Sequence, residues 1–567
     1  MKRFLSICTI AAAVAAAPSV QADDDYRIRR SAKNVIVMVP DGCHTSIQTL
    51  ARWFKGEPLQ LDSMTAGTVQ THMANSVITG SAAAATAFAT GEKTTARFLG
   101  VAPRHEDLLT GYVPPADKEP YEPMATVLEA AKMKGIATGL ISTSRITHAT
   151  PAAYAAHIHD RGMDNEIMEH MVYQDVDVVF GGGKRHLLPK SEGGKRTDGE
   201  NLVNVLVDRG YQFVETKDEL ETLESGKAWG MFASSHMTAD IDRQFIAPTQ
   251  PSIAEMTSKA IELLSQDEDG FLLMVEGSQI DWAGHANDSI YMVTDMVAFD
   301  DAVKVAVDFA EMDGNTVVIA FPDHNTGALS IGSGTAKMSY TATKVEDVVG
   351  PLMGMQFTSG VLVGKIGDDK SAQNIMANIQ EGWGLTISQE DADEIVARSE
   401  RMSLSNAINE VISERYTVFG WTTHGHTAED VPVYTYGMNR KVGTLDNTEL
   451  ALITADKLNV NLDKADEKLF IDVAEEFAAD EWELDLETDP ENPVLKIKDA
   501  ILPVSKDLVI QGDETTEMEG IVVYAPMSGK VYIPKEAVAI INGEDDDDVE
   551  ECPWPWPWLC EYYARNK

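Results

Sequence analysis

Cysteine, positive charge and long apolar runs are all scarce in this chain. Four cysteines among 567 residues exclude a small scaffold built on disulfides. Cys8 falls in the N-terminal apolar run, Cys552 and Cys560 lie close enough in sequence to pair in an oxidising compartment, and Cys43, two residues from Asp41, reads as a small buried filler ahead of a reactive thiol or a ligand. Lys and Arg number 46 against 90 Asp and Glu, a formal net charge of −44. That balance opposes nucleic-acid binding and suits a salty medium, where screening weakens self-repulsion. Beyond the first 17 residues no stretch stays apolar long enough to span a bilayer. Glu92-Lys93-Thr94-Thr95 and Gly181-Gly182-Gly183-Lys184-Arg185 lack the spacing of a nucleotide loop and read as turns. No Cys- or Ser-x-Pro-x-Arg stretch supplies the modified nucleophile of a sulfatase.

What is present begins with an export signal. Lys2 and Arg3 precede an apolar run to Ala17, and Val20-Gln21-Ala22 forms a small-residue cleavage site before Asp23. Residues 1–22 are therefore expected to be removed, leaving an exported protein, periplasmic or extracellular, with a net charge of −46 because they carry two basic and no acidic residues.

The most informative stretch is 271–285, FLLMVEGSQIDWAGH. Its apolar start has the length and type of a strand buried on both faces, and it stops on Glu276. Asp281 and His285 follow at i, i+4, which places both on one helix face, able to share an ion. Two further apolar runs also stop on acids: 35–39 before Pro40-Asp41-Gly42, and 316–321 before Pro322-Asp323-His324. Parallel α/β sheets hold ligands beyond the carboxyl ends of their strands. Three such strands point Glu276, Asp41 and Asp323 into one crevice, and carboxylates so crowded call for cations.

Ser81 opens an Ala-rich segment, 81–90, of high helix propensity. A hydroxyl there reads first as a helix cap, but the same place aims backbone N–H groups at any bound phosphate. Elsewhere, 124–134 and 447–458 read as helices, 135–142 as a strand, a short helical stretch after His148 as reaching Arg161, and 290–312 as a long amphipathic segment. The pattern changes at 328–420, an insertion read as a Gly/Ser/Thr-rich run, a strand at 360–366 and helices from 371 to 416. Residues 484–543 hold short apolar runs between turns, a small β domain. The tail, 544–567, is acidic and then alternates Trp and Pro, which favours extended chain. The fold expected is α/β, a central mostly parallel sheet flanked by helices, with the main domain at 31–478.

Seven motifs stand in order: Pro40-Asp41-Gly42, Ser81, His148-Ala149-Thr150-Pro151, Arg161, Glu276 with Asp281 and His285, Asp323-His324, and His426-Thr427-Ala428-Glu429-Asp430. In that order they resemble the metal-dependent alkaline phosphatase family of exported bacterial enzymes, over most of residues 34–458. The resemblance implies two zinc ions, one on Asp281, His285 and His426, the other on Asp41, Asp323 and His324. It implies a third ion, usually magnesium, on Asp41, Thr150 and Glu276 with His148 nearby. Ser81 would be the nucleophile, Arg161 the phosphate clamp, and small phosphate monoesters the substrates. His424, two residues before His426, is the alternative ligand. Two departures stand out: Gly80 occupies the place where family members commonly carry an Asp that holds the arginine, and His148 that of a carboxylate in some members. A phosphodiesterase of the same superfamily and a metal-stabilised scaffold or adhesion protein are the competing readings. The chain is read as a monomer or a homodimer, and His72, His105, His157, His159, His170, His186 and His236 read as surface or structural residues rather than as ligands.

Overall fold

The computed structural model describes residues 31–116, 118–335, 339–438 and 443–543. The export signal, the Trp/Pro tail and the Cys552–Cys560 pairing lie outside the described residues.

Ten strands form the central sheet: β1 (Asn34–Val39), β2 (Thr65–Gln70), β3 (Ala137–Arg145), β4 (Val178–Gly182), β5 (Gln212–Val214), β6 (Ala228–Ala233), β7 (Phe271–Glu276), β8 (Thr316–Ala320), β13 (Val431–Tyr436) and β14 (Gly443–Asp446). Between β8 and β13 the chain adds four two-residue strands, β9 (Asn325–Thr326), β10 (Ser330–Ile331), β11 (Phe419–Gly420) and β12 (His426–Thr427), paired antiparallel as β9 with β12 and β10 with β11. The order across the large sheet is β14-β2-β13-β8-β1-β7-β3-β4-β6-β5. Only β13 runs against its neighbours. β1 lies centrally, parallel to β7 and β8, and every residue of it is buried. Ile36 and Met38 enter one apolar cluster while Val35, Val37 and Val39 enter another, because alternate residues face opposite sides of a sheet covered on both faces. The register sets Val39 beside Glu276 and Met38 beside Ala320, so the three acid-ended strands finish level.

The insertion corrects one expectation. Residues 360–366, expected as a strand, belong to the helix Ser359–Ile366. Thr358 caps its first turn, and Ser359, Leu362 and Ile366 are buried at helical spacing, so packing overrides the β propensity of Val361 and Val363. Four more helices accompany it, Val345–Val349, Ala372–Trp383, Gln389–Arg398 and Leu404–Tyr416, and their apolar faces join the cluster under the main sheet. The helix expected to reach Arg161 also ends early. It spans Ala149–Ala152, after which Ile158 bridges to Leu99 and Arg161 N–H bonds the Arg97 carbonyl at 2.9 Å, holding the arginine in a turn.

Toward the C-terminus, five antiparallel strands run from Trp482–Asp485 to Glu514–Glu517, and Ile471–Asp472, Val523–Ala525 and Lys530–Ile533 form a three-stranded sheet. Ile521, Val523, Ala525 and Tyr532 share an apolar cluster with Leu469, Phe470 and the main-sheet residues. Arg209 grips Asp507 through two bonds of 2.6 and 2.7 Å.

Candidate metal centre

Just beyond the level ends of β1, β7 and β8 the chain brings together three groups of side chains: Asp281, His285 and His426; Asp41, Asp323 and His324; and Asp41, His148 and Glu276. Within each group the potential ligand atoms all lie within 4.8 Å of one another. Asp41 belongs to two of them. Gly42 makes this approach possible: its φ is +71°, and a Cβ there would come within 2.8 Å of the Asp281 Cα. Its N–H also donates to Asp323 Oδ1 at 3.1 Å.

Asp281 and His285 sit on one face of the helix Gln279–Ala286, with His285 Nε2 3.5 Å from Asp281 Oδ2. His426, on β12, brings its Nε2 to 3.2 Å from His285 Nε2 and 3.5 Å from Asp281 Oδ1. Both imidazoles place Nδ1 against a backbone carbonyl, His285 on His424 at 2.6 Å and His426 on Thr79 at 2.8 Å. Nδ1–H donation of this kind leaves Nε2 as the lone-pair atom, and the two Nε2 atoms converge. His424 does not: its nitrogens face the His285 carbonyl and Glu410. The converging histidine is therefore His426.

The second group lies deeper. Asp41, Asp323 and His324 side chains have no exposure, whereas 40% of the His285 side chain is open to solvent. His324 Nε2 is 3.1 Å from Asp323 Oδ2, 3.7 Å from Asp41 Oδ1 and 3.3 Å from Ser81 Oγ. Thr326, on β9, ties the two groups together by donating to Asp281 Oδ1 at 2.6 Å and contacting His324 Nδ1 at 3.2 Å. Neither Thr326 nor Ser142, which donates to Glu276 Oε2 at 2.6 Å, was singled out in the sequence. Isolated hydroxyls carry no pattern, and only the pairing of β9 with β12 and of β3 with β7 brings them here.

Electrostatics make the crowding explicit. Burial, with the charges of Asp323, Asp281 and Glu276 added, pushes the Asp41 carboxyl well above its ordinary range. Burial raises Glu276 as well. Burial would also raise Asp323, but the adjacent His324 outweighs it and holds that carboxyl low, while Asp323 in return raises His324 against its own burial. Both Asp41 oxygens, Glu276 Oε1 and His148 Nδ1 are buried without a hydrogen-bond partner among the described residues. Orphaned buried acceptors facing one another are what cations satisfy, and a mixed imidazole–carboxylate donor set fits them.

Ser81 is the first residue of the helix Ser81–Thr90, whose ten residues are all buried. Gly80 supplies no side-chain cap, so the first N–H groups remain open toward the crevice. Arg161 reaches the same crevice, its Nη2 2.8 Å from His148 Nε2. Thr150 is fully buried on the helix Ala149–Ala152. Beside His148 stand Trp282 and His236, whose rings are 4.3 Å apart.

A buried serine hydroxyl at a helix start, an arginine reaching the same crevice, and clustered carboxylates and imidazoles at the carboxyl edge of a mostly parallel sheet are the arrangement of a metal-dependent phosphate-ester hydrolase. Comparison with known proteins narrows the class. The family model described as alkaline phosphatase matches residues 32–460. "Alkaline phosphatase 3" of Bacillus subtilis is 36% identical over 450 residues, covering 76% of this chain and 90% of that protein. "Repressible alkaline phosphatase" of Saccharomyces cerevisiae is 30% identical over 484 residues, covering 76% and 82%. Among solved structures, Thermus thermophilus alkaline phosphatase superposes with a TM-score of 0.68 at 26% identity, over 79% of this chain and 96% of that one. The chain belongs to the alkaline phosphatase family, and its activity is that of an alkaline phosphatase, a phosphoric monoester hydrolase.

Proposed function

We propose that this is an exported alkaline phosphatase that works through a phosphoserine on Ser81. The observation that carries the reading is the placement of Ser81 Oγ, buried at an open helix start and 3.3 Å from His324 Nε2 in the deeper cluster. Asp281, His285 and His426 would hold one zinc ion and Asp41, Asp323 and His324 a second, while Asp41, Thr150 and Glu276, with His148 beside them, would hold magnesium. Bound there, the ions supply charge neutralisation and Lewis-acid polarisation of the phosphate.

The chain's own residues do the rest. Arg161 offers a planar pair of N–H donors to two phosphate oxygens. The open N–H groups at the start of the Ser81 helix favour the same anion. Ser81 Oγ attacks phosphorus in line with the ester bond. Its bond to phosphorus forms as the bond to the leaving oxygen breaks, and the serine proton ends on the released alcohol. Water then cleaves the phosphoserine, freeing inorganic phosphate and restoring Ser81. The cleavage of residues 1–22 would deliver the enzyme outside the cytoplasm. Among the described residues no helix is long and apolar enough to cross a membrane. Residues 31–478 would form the catalytic unit, with 328–420 inserted and 484–543 appended.

Chelation followed by reconstitution tests the reading. Stripping the protein should abolish turnover of p-nitrophenyl phosphate and lower thermal stability together, since the crowded carboxylates lose their counter-ions. Zinc should restore most of the rate, and magnesium should add to it. A stripped protein that keeps its full rate overturns the proposal. Faster cleavage of the bis-ester than of the monoester would favour the phosphodiesterase reading, and no turnover of either would favour the scaffold.

A further inference from the structure

The inserted helices reach the outer metal cluster through a short chain of bonds that the activity itself does not explain. On the helix Gln389–Arg398, Arg398 binds Glu410 Oε2 at 2.9 Å and Glu414 through two bonds of 2.9 Å, both acids standing on the helix Leu404–Tyr416. The other oxygen of Glu410 faces His424 Nε2 at 3.0 Å. His424 and His285 then bind each other reciprocally: His285 Nδ1 meets the His424 carbonyl at 2.6 Å, and His424 Nδ1 meets the His285 carbonyl at 2.8 Å. The neighbouring residue on the same helix, Asn409, donates to the Ala286 carbonyl at 2.9 Å, where the helix carrying His285 ends.

Two consecutive residues of one inserted helix thus hold the end of the helix that presents His285. This matters most for His285 because it is the open member of its cluster, with 40% of its side chain exposed against 17% for His426 and 5% for Asp281. An exposed imidazole has rotamers to lose on binding an ion, and a fixed Nδ1–H contact removes them beforehand. His426 gets the same contact from the Thr79 carbonyl next to Ser81, within the central fold. For His285 the contact comes from a segment whose position is set by the insertion.

We propose that Glu410 and His424 are positioning residues for the outer metal position, so that the inserted helices set its zinc affinity through His285. The proposal rests on the metal reading above. The test measures the two zinc dissociation constants of the full-length protein by competition with a chromophoric chelator, with zinc alone as the probe. Glu410→Leu and His424→Leu should each weaken one zinc by about 10- to 100-fold and leave the other unchanged. Glu410→Gln, which keeps an acceptor for His424, should recover most of the affinity. Glu414→Gln loosens the same Arg398 cluster without touching His424 and should alter thermal stability only. His424→Gln reads the same affinity should a leucine variant fail to fold. Native affinities in the Glu410 and His424 variants, or equal weakening of both zinc ions, would overturn the proposal. His285→Ala separates the two failures: if it too keeps both zinc ions, the metal reading falls, and if it loses one while Glu410→Leu loses none, only the positioning role falls.

Discussion

At the scale of the residue, Ser81 and Gly80 make separable statements. Ser81→Ala removes the proposed nucleophile but no imidazole or carboxylate, so turnover is expected to fall by roughly 10³-fold or more with the metal content unchanged. Acid-quenched native enzyme should carry its phosphate on the peptide containing Ser81, and label at Thr79 or Thr86 would displace the site along the helix. Gly80 concerns the neighbour, Arg161. Among the described residues no carboxylate is hydrogen-bonded to that arginine; its side-chain contact is His148 Nε2 at 2.8 Å. An ideal Cβ at Gly80 meets nothing within 4 Å, so an acidic side chain has room. A charge-assisted bond from Asp to Arg161 is worth about 1.5–3 kcal/mol when well placed. Gly80→Asp is therefore expected to tighten inhibition by inorganic phosphate by roughly 10-fold or more, and to lower kcat where product release limits the rate. An unchanged inhibition constant in a folded, metal-loaded variant would mean that His148 already fixes the arginine.

At the scale of the element, a buried ion pair holds the arginine's side of the site in place. Glu129, on the helix Val127–Lys132, meets His157 at 2.8 Å, and both side chains are almost wholly buried. Gln174 adds a bond to the same carboxylate and His170 accepts from the His157 backbone, so the pair ties two helices, Val127–Lys132 and Asp164–Tyr173, to the segment that leads to Arg161. Burial would lower His157 and raise Glu129, yet each partner's charge outweighs it: the His157 pKa is raised and that of Glu129 lowered. The histidine contribution is complete below the unfolded value of 6.5 and fades as pH rises through the raised folded value. The glutamate contribution is complete above the unfolded value of 4.5 and fades as pH falls through the depressed one. His157→Gln should thus cost most between those values, on the order of 3–5 kcal/mol. The cost should shrink as pH climbs into the alkaline range, a trend that denaturant unfolding at several pH values would check. Nothing in the sequence set His157 apart from the other spare histidines. The strand-ending acids were legible because a buried apolar run stopping on Asp or Glu is a local contradiction, and the Asp281/His285 spacing because helices repeat every 3.6 residues. The helix Ser359–Ile366 was misread because Val361 and Val363 favour a strand, although Thr358 and the 359, 362, 366 spacing already carried the helical signal. The groups that hold the candidate ligands, Thr326, Ser142 and the carbonyls of Thr79 and His424, and Glu410 behind His424, depend on pairings across tens to hundreds of residues, which no local pattern reports.

At the scale of the whole molecule, the question is whether the C-terminal sheets decorate the catalytic part or complete it. Every candidate ligand precedes residue 427, which argues for decoration. The packing argues otherwise for stability. Removing residues after Ala479 takes Ile521, Val523, Ala525 and Tyr532 out of the apolar cluster that lines one face of the main sheet. It strips Lys530–Ile533 from Ile471–Asp472, Ser505 from His170, and Asp507 from Arg209. The Arg209 side chain is only 11% exposed, and leaving one partner of a buried charge pair unmatched costs about 3–5 kcal/mol. Lys506, which binds Glu200 at 2.8 and 2.9 Å and lies 3.5 Å from Glu169, leaves as well. Arg196 remains to neutralise the Glu169, Asp198 and Glu200 group from its buried place. The two observations together give a split expectation. A protein ending at Ala479 should unfold at markedly lower temperature or denaturant, by at least the several kcal/mol of the lost Arg209 pair, yet its folded fraction should bind the full complement of metal and turn over p-nitrophenyl phosphate at a near-native rate per metal-loaded molecule. Thermal unfolding with metal analysis on the same sample decides it. Native stability would mean the C-terminal sheets only rest on the core. Loss of metal from soluble, folded truncated protein would mean that their packing is transmitted to the strand ends that present Asp41, Glu276 and Asp323.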